Sequence, residues 1–291
     1  MQSEHDSHGG VRHAVPLRFK DEHRMKIGII AGNGQFPLLF SKAARAKGYD
    51  VHVAAIRQEA DEILEHIAHS IKWLHLGQVK KLLSFFREHG VRDVVMVGGI
   101  RKTRIFSDIK PDMKAVMLLA SMKHTHDDGV LGIFADFLEK EGLRVCSSTF
   151  LLPELLAEAG VWTRMKPGKA HMTDIRAGFS LAKEIGRLDI GQCIVMGGGS
   201  VLAVEAIDGT DATIRRGAML GKGDAVVIKV SKPNQDMRFD VPAVGLKTLE
   251  TMHDSGATVL VIEAGKAIVF DKEEMVAYAD QHNIAILALG E

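Results

Sequence analysis

The chain has 291 residues, 46% of them apolar and 25% charged, enough to bury a sizeable core, and at that length two domains are favoured over one. Lysine plus arginine equals aspartate plus glutamate at 37 each, so there is no global basic field of the kind that drives non-specific nucleic-acid binding, and nucleic acid is not expected as a partner. No apolar run approaches the ~18 to 20 residues that cross a bilayer and no hydrophobic signal core opens the chain. The expected location is therefore the cytoplasm, with peripheral contact at the inner membrane if the substrate is a lipid.

In chain order, Met1 to Arg24 holds four of the fourteen histidines, alternates in charge and reads as a flexible extension or a misassigned start ahead of Met25. From Met25 the pattern is a short β-rich run, KIGIIAGN, a helix over Phe36 to Lys47 stopped by Gly48, and a second strand, VHVAAI. A helix around Ala60 to His69, a strand IKWLHL, a helix over Val79 to His89 and a strand DVVMVGGI continue the alternation. Four strands separated by helices predict a parallel sheet covered on both faces. Helices follow over Met113 to Met122 and Leu131 to Leu138, then a strand LRVCSST and a short helix opened by Pro153. A boundary near residue 160 divides the chain into 25–160 and 161–291. The second part reads as a long helix from Asp174 to Ile185, then CIVM, VLAVEAI, a helix near Asp211 to Leu220, AVVIKVS, a helix over Leu246 to His253, TVLVIEA, AIVF, a helix over Lys272 to Gln281 and AILAL. The expected fold class is α/β: a Rossmann-like parallel-sheet domain followed by a second α/β domain with a mixed sheet. Cys146 and Cys193 lie far apart without metal-ligand spacing and read as buried free thiols.

The first strand ends in Gly32-Asn33-Gly34, which puts backbone amides where a phosphate can approach ahead of a helix N-terminus. The dinucleotide fingerprint would need a third glycine where Pro37 stands and an acid at the end of the second strand, where the chain reads Ala-Ala-Ile-Arg57. A nicotinamide-dependent oxidoreductase is therefore disfavoured; a non-catalytic nucleotide-sugar binding protein would need the turn but not the carboxylates described next. Gly98-Gly99 ends the fourth strand and leads into Arg101, Lys102 and Arg104, which suit phosphate or simply a solvated basic helix start.

The densest chemistry lies in Glu205-Ala-Ile-Asp208-Gly-Thr210-Asp211 with Arg215 and Arg216, and in Lys232-Pro-Asn-Gln235-Asp236-Met-Arg238-Phe-Asp240. Each segment follows a strand, so both can converge on one edge. Diphosphate cleavage needs a divalent cation or arginines to neutralise the oxygens, and a carboxylate to hold metal or position water. If extended, Asp236, Arg238 and Asp240 would share one face; the plain alternative is a solvated turn with exposed ion pairs. In His124-Thr-His126-Asp127-Asp128-Gly129, an aspartate as N-cap of the helix near Val130 is favoured over a metal site, and at Asp174 a helix start capped by Thr173 is favoured over a substrate contact. Met113, Met117, Leu118, Leu119 and Met122 form an apolar helix that could line a lipid cleft, although core packing suits each singly.

Together, MKIGIIAGNGQFP, HDDGVLGIFADFLEKEGLRV, LDIGQ, VLAVEAIDGTDATIRRG and KVSKPNQDMRFDVPAVGLKTLE resemble the metal-dependent UDP-2,3-diacylglucosamine pyrophosphatases of Gram-negative bacteria, over Met25 to Glu291. The resemblance implies a diacylated UDP-sugar bound between the two domains, Mg²⁺ or another divalent cation, and hydrolysis to UMP and 2,3-diacylglucosamine 1-phosphate by water attacking the phosphate on the sugar side. Carried onto this sequence, it makes Asp236 the first candidate for an essential carboxylate, followed by Asp240 and Glu205, with Asp236, Asp240, Asp208 and Asp211 as metal candidates. Lys232 and Arg238 would hold phosphate oxygens. Gly32, Asn33, Gly34, Gly98, Gly99, Arg101, Asp128, Asp174, Thr210 and Gln235 complete the expected substrate-binding set. A homodimer and domain movement on binding are compatible with this reading.

Overall fold

The computed structural model describes residues 25–101, 110–121 and 127–290, with the backbone alone at 119–121 and 127–129. Lys102, Arg104 and His124 to His126 lie outside the described residues. The first domain is a five-stranded parallel sheet in the order β3-β2-β1-β4-β5, built from β1 (Lys26–Ala31), β2 (Asp50–Ile56), β3 (Ser70–Leu74), β4 (Asp93–Val97) and β5 (Arg144–Val145). These strands are apolar on both faces because both are covered. Ile27, Ile29, Val53 and Val95 meet Phe36 and Phe40 of α1 (Phe36–Ala46) on one side. On the other, Ala54, Val94 and Met96 meet Leu82, Leu83 and Phe86 of α2 (Val79–Glu88) and Leu138 of α4 (Asp127–Lys140), with α3 (Met113–Ser121) beside them.

The second domain is a six-stranded mixed sheet in the order β6-β13-β11-β9-β7-β8. Its parallel centre is β9 (Ala225–Lys229), β11 (Ala257–Glu263) and β13 (Ala285–Leu289); β7 (Cys193–Gly197) runs antiparallel to β9, β8 (Ser200–Val204) to β7, and β6 (Gly160–Val161) to β13. The long α5 (Lys169–Arg187) covers one face through Ile175 and Ala182. The other is covered by α6 (Thr210–Gly221), α7 (Leu246–Ser255) and α8 (Lys272–Gln281), through Ile214, Leu249 and Met275. A two-stranded parallel ribbon, β10 (Ala243–Val244) with β12 (Ile268–Val269), leaves this domain and carries Ile268 into the core of the first. Both domains are thus α/β, with the parallel and mixed sheets expected.

Several expectations need correcting. The segment around Ala60 to His69 is a 3₁₀ turn over Glu62–His66, started by the Asp61 side chain accepting from the Ile63 amide. Helix α5 starts five residues before Asp174, at Lys169, because the Gly168 amide is satisfied by Nδ1 of His171; Thr173 is inside the helix and donates back to the Lys169 carbonyl rather than capping it. Helix α4 begins at Asp127, so its start is about one turn earlier than Leu131. Cys193 is buried, its thiol pushed well up by burial, whereas Cys146 is only half-buried.

One buried group ties stability to pH. His52 on β2 is 7% exposed, its ring 4.8 Å from that of His89, with Nδ1 beside Ser70 Oγ and no partner for Nε2. Burial first, and then the His89 charge, lower its pKa from 6.5 to about 4. Between those values the unfolded chain binds more protons than the folded one, so stability is full above pH 6.5 and falls as the pH drops toward 4, by about 3 kcal/mol in all. Urea midpoints measured from pH 7 to pH 5 should fall in the parent and stay flatter in a His52→Val variant; parallel curves would contradict this assignment.

Candidate active site

The site begins where the turns after β1 and β4 cross. The Gly32 amide donates to the Val97 carbonyl at 2.9 Å, and Asn33 and Gly99 exchange backbone hydrogen bonds at 2.8 and 3.2 Å. The approach is so close that a Cβ on Gly32 would lie 2.3 Å from the Gly99 carbonyl oxygen, and one on Gly98, at φ +84°, 2.4 Å from that of Asn33. Only glycine is accommodated at these two points. The crossing stands at the carboxyl ends of β1 and β4, where the strand order reverses direction, the place at which open parallel sheets bind ligands.

A carboxylate that sequence reasoning missed stands behind this crossing. Gln58, in the left-handed region at φ 64°, turns the chain after β2 so that the buried Glu59 accepts from Asn33 Nδ2 at 2.8 Å and from the Arg101 amide and Nε at 3.2 to 3.3 Å. Burial would raise the Glu59 carboxyl, but the hydrogen bonds from Asn33 and Arg101 outweigh it and hold it below the usual carboxylate range. Arg101 is therefore committed to Glu59 and, through Nη2, to the Gln58 carbonyl at 2.6 Å. The strand end itself carries no acid, as its Ala-Ala-Ile-Arg57 reads; this carboxylate comes three residues after Ile56, beyond the reach of a strand-end pattern.

The facing wall is the segment between β9 and β10. Its base is pinned by Glu263, 1% exposed, which accepts from Lys183 Nζ at 2.7 and 2.8 Å and from the Ser231 amide at 2.8 Å. Its far end is held by Lys229 Nζ on the Ala243 carbonyl at 2.9 Å. Between these anchors, Gln235 Oε1 accepts from the Lys232 amide at 2.8 Å and Gln235 Nε2 donates to Asp240 Oδ2 at 2.7 Å. Asp236, Arg238 and Asp240 do not alternate along a strand as one reading supposed. Asp236 Oδ1 accepts from the Arg238 amide at 3.0 Å and its carbonyl accepts from the amides of Phe239 and Asp240, so the segment coils into a turn. Arg238 also grips Asp236 with Nε and Nη2, and this guanidinium holds the Asp236 carboxyl below the usual range. Arg238 then reaches Glu139 on α4 at 2.8 Å.

Between the walls lies a cleft of about 240 Å³, lined by Asn33, Gly34, Gly98 and Gly99 of the crossing and by Phe239, Asp240 and Val241 opposite. Phe36 and Phe270, with ring centroids 5.8 Å apart, close its apolar side. Ser148, also on the wall, is 1% exposed, and its hydroxyl has no hydrogen-bond partner among the described residues. An unpaired buried hydroxyl costs about 1–3 kcal/mol, a cost that a bound ligand would relieve.

The other expected residues are distributed unevenly. The end of β8 does converge on the same edge: Glu205 accepts from the Gln192 amide at 3.1 Å and from Thr210 Oγ1 at 2.7 Å, and Gln192 Oε1 lies 3.5 Å from Gln235 Nε2. Glu205 and Thr210 thus shape this edge from behind. Lys232 pairs with Asp189 at 2.6 Å. Asp208 pairs with Arg216, and Asp211 lies 3.6 Å from Lys247, both at the surface of α6 and its neighbours. Asp174 is buried and accepts from the Gly199 amide at 2.7 Å, which fixes the turn between β7 and β8. The Asp128 side chain lies outside the described residues. Among the described residues, no three His, Cys, Asp or Glu side chains gather as a ready metal cluster.

Family models match nearly the whole chain: the LpxI N-terminal domain over residues 26–155 and the LpxI C-terminal domain over 158–287. The chain belongs to the LpxI family. Within it, the UDP-2,3-diacylglucosamine pyrophosphatase LpxI of Caulobacter vibrioides is 34% identical over 275 residues, which span 91% of this chain and 97% of that protein. The split between the two family models falls just before β6, where the chain enters the second sheet. Likeness to solved structures is loose. An N5-carboxyaminoimidazole ribonucleotide synthetase with ADP matches at TM-score 0.26 and 15% identity, over 64% of this chain and 39% of that one. The glycinamide-RNase-transformylase T of Mycobacterium tuberculosis matches at TM-score 0.25 and 14% identity, over 62% of this chain and 44% of that one.

In this family member, the wall opposite the glycines depends on the Lys183–Glu263 pair. Replacing Lys183 with Met leaves the buried Glu263 with the more exposed Lys266, 3.0 Å away, as its remaining cation, at a cost of up to roughly 3 kcal/mol. The measurement is the urea midpoint of the variant, with protease cleavage within 231–242 as a local readout. An unchanged midpoint and unchanged cleavage would contradict the anchoring role.

Proposed function

We propose that the chain hydrolyses the diphosphate of UDP-2,3-diacylglucosamine to UMP and 2,3-diacylglucosamine 1-phosphate, with a divalent cation such as Mg²⁺, in lipid A biosynthesis. The observation that carries this reading is the placing of Asp240 and the Asp236–Arg238 turn across a cleft from a glycine crossing at a sheet switch point. The named activity of the Caulobacter relative, at 34% identity over almost its entire length, supports it.

The crossing, whose amides at Gly32, Asn33 and Gly99 already donate within it, contributes room for a ligand to lie against the main chain, because Gly98 and Gly99 carry no side chains. Asp240 supplies a carboxylate on the wall, oriented by Gln235. Asp236 aims the Arg238 guanidinium, which exchanges the half-exposed Glu139 for phosphate oxygens. Mg²⁺ commonly binds one or two protein carboxylates together with substrate phosphates and water, so Asp240 with the diphosphate is a fitting donor set although no larger cluster exists among the described residues. When bound, it neutralises charge developing on the phosphoryl oxygens. Asp240 would also orient the attacking water. A cleft of about 240 Å³ is below the ~300–1,000 Å³ usual for ligand pockets, so the two walls must part to admit the substrate.

The acyl chains need an apolar reception. Met113, Val116 and Met117 on α3 and Val130 and Leu131 on α4 are exposed, and α4 is the helix whose Glu139 meets Arg238. We place the contact with the lipid surface there. No helix among the described residues is long and apolar enough to span a membrane.

Purified protein with UDP-2,3-diacylglucosamine and Mg²⁺ should release UMP, and chelation should stop it. Asp240→Asn and Asp236→Asn should each lower turnover roughly 10²–10³-fold while the fold persists. Well-folded protein that releases no UMP would overturn the reading. Met117→Glu should raise KM for substrate presented in vesicles and reduce co-sedimentation with them, without changing UMP affinity; unchanged vesicle binding would remove the α3–α4 surface from the proposal.

A further inference from the structure

The hydrolase reading leaves Glu59 without a role, and the inference that follows rests on that reading. Glu59 is buried, held ionised by its hydrogen bonds, and shared between Asn33 and Arg101. Its chemistry settles a question that Asn33 alone would leave open. An asparagine amide can offer a cleft either its NH₂ or its carbonyl oxygen. An ionised carboxylate only accepts, so the Asn33 group 2.8 Å from Glu59 Oε2 must be the NH₂. The carbonyl Oδ1 is thereby left on the other side, over Gly99, where a Cβ at that glycine would lie only 3.0 Å away. Both Asn33 and Gly99 line the cleft. The polar side chain at the crossing therefore presents an acceptor, which repels phosphate oxygens and invites a donor.

A second, independent observation indicates that the cleft awaits a polar ligand. The Ser148 hydroxyl, which also lines it, is buried and without a partner among the described residues, on a residue whose amide donates to the Arg238 carbonyl of the facing segment. The Asn33 side chain cannot serve an anion while Glu59 holds its NH₂.

We infer that Glu59 is a positioning residue that fixes Asn33 as a hydrogen-bond acceptor for the nucleoside half of the substrate, so that the crossing selects a ligand carrying a donor, a ribose hydroxyl or the uracil N3–H. The diphosphate then lies on the Asp240 and Arg238 side of the cleft. Glu59 acts through Asn33 and need not touch substrate. In a Glu59→Gln variant the new side chain can still accept from Arg101 through its carbonyl while offering NH₂ to Asn33, which lets the Asn33 amide turn over and present its own NH₂ instead. The variant should therefore lose discrimination rather than simply lose binding.

The test is calorimetric titration of the full chain with UMP, 2′-deoxy-UMP, 3′-deoxy-UMP and N3-methyl-UMP, in the parent, Glu59→Gln and Asn33→Ala. The parent should bind one of the three analogues about tenfold more weakly than UMP, the expected effect of leaving a buried acceptor unpaired, and the identity of that analogue tells hydroxyl from imide. In both variants, checked for folding by circular dichroism, the ratio should fall below about twofold. A parent that binds UMP and all three analogues alike would overturn the inference and leave the hydrolase reading standing. So would a Glu59→Gln protein that keeps the tenfold ratio. A parent that binds no UMP at all would take both down together.

Discussion

Everything in the proposed site depends on two turns crossing at van der Waals limits. The backbones after β1 and β4 exchange hydrogen bonds at 2.8 and 3.2 Å, and the space between them excludes even a methyl group at Gly32 and Gly98. This contact sets the depth of the cleft floor and leaves Asn33 as the side chain that rises from it. A conventional Rossmann turn approaches a dinucleotide through a third glycine at the helix start; here Pro37 occupies the first turn of α1, and the helix is instead packed through Phe36 against Phe270 of the second domain. The turn thereby helps to join the two domains.

The second domain answers with a segment that is irregular in conformation yet tied at both ends. Lys183 and Glu263 at its base, Lys229 on the Ala243 carbonyl at its end, and Gln235 in the middle replace the strand ladder that would otherwise order such a stretch. Buried charges of this kind contribute little net stability, because desolvation offsets most of the attraction, but removing one partner is costly. Their effect here is to hold Asp240 in place across the cleft. If the cleft receives a ligand larger than itself, the two walls must part as bodies.

Much of this architecture was legible in the amino-acid pattern. Helix α8 over Lys272–Gln281 and strand β13 over Ala285–Leu289 fall where periodicity places them, because each is bounded by polar residues and buried through a regular apolar set. The glycine pairs at the ends of β1 and β4 were visible as turns. Their crossing was not, since it depends on strand order rather than on local sequence. The alternation Asp236, Arg238, Asp240 imitates a strand, but an aspartate that caps its own turn overrides the two-residue period. Asp174 looked like a helix start because Thr173 before it resembles a usual cap; the helix begins five residues earlier, where a histidine nitrogen serves instead. Glu59 was missed because Gln58 adopts a left-handed conformation that no propensity predicts, and an acid shortly after the second strand of a glycine-turn domain was the one available signal.

The central claim is that the two domains build one site, with the glycine crossing as one wall and residues 235–240 as the other. Amide hydrogen exchange with and without saturating UDP-2,3-diacylglucosamine, in an Asp240→Asn background that slows turnover, reads both walls at once. The account predicts slowed exchange at Asn33, Gly34 and Gly99 and, in the same experiment, across Gln235 to Asp240. Protection confined to one of these segments would contradict it.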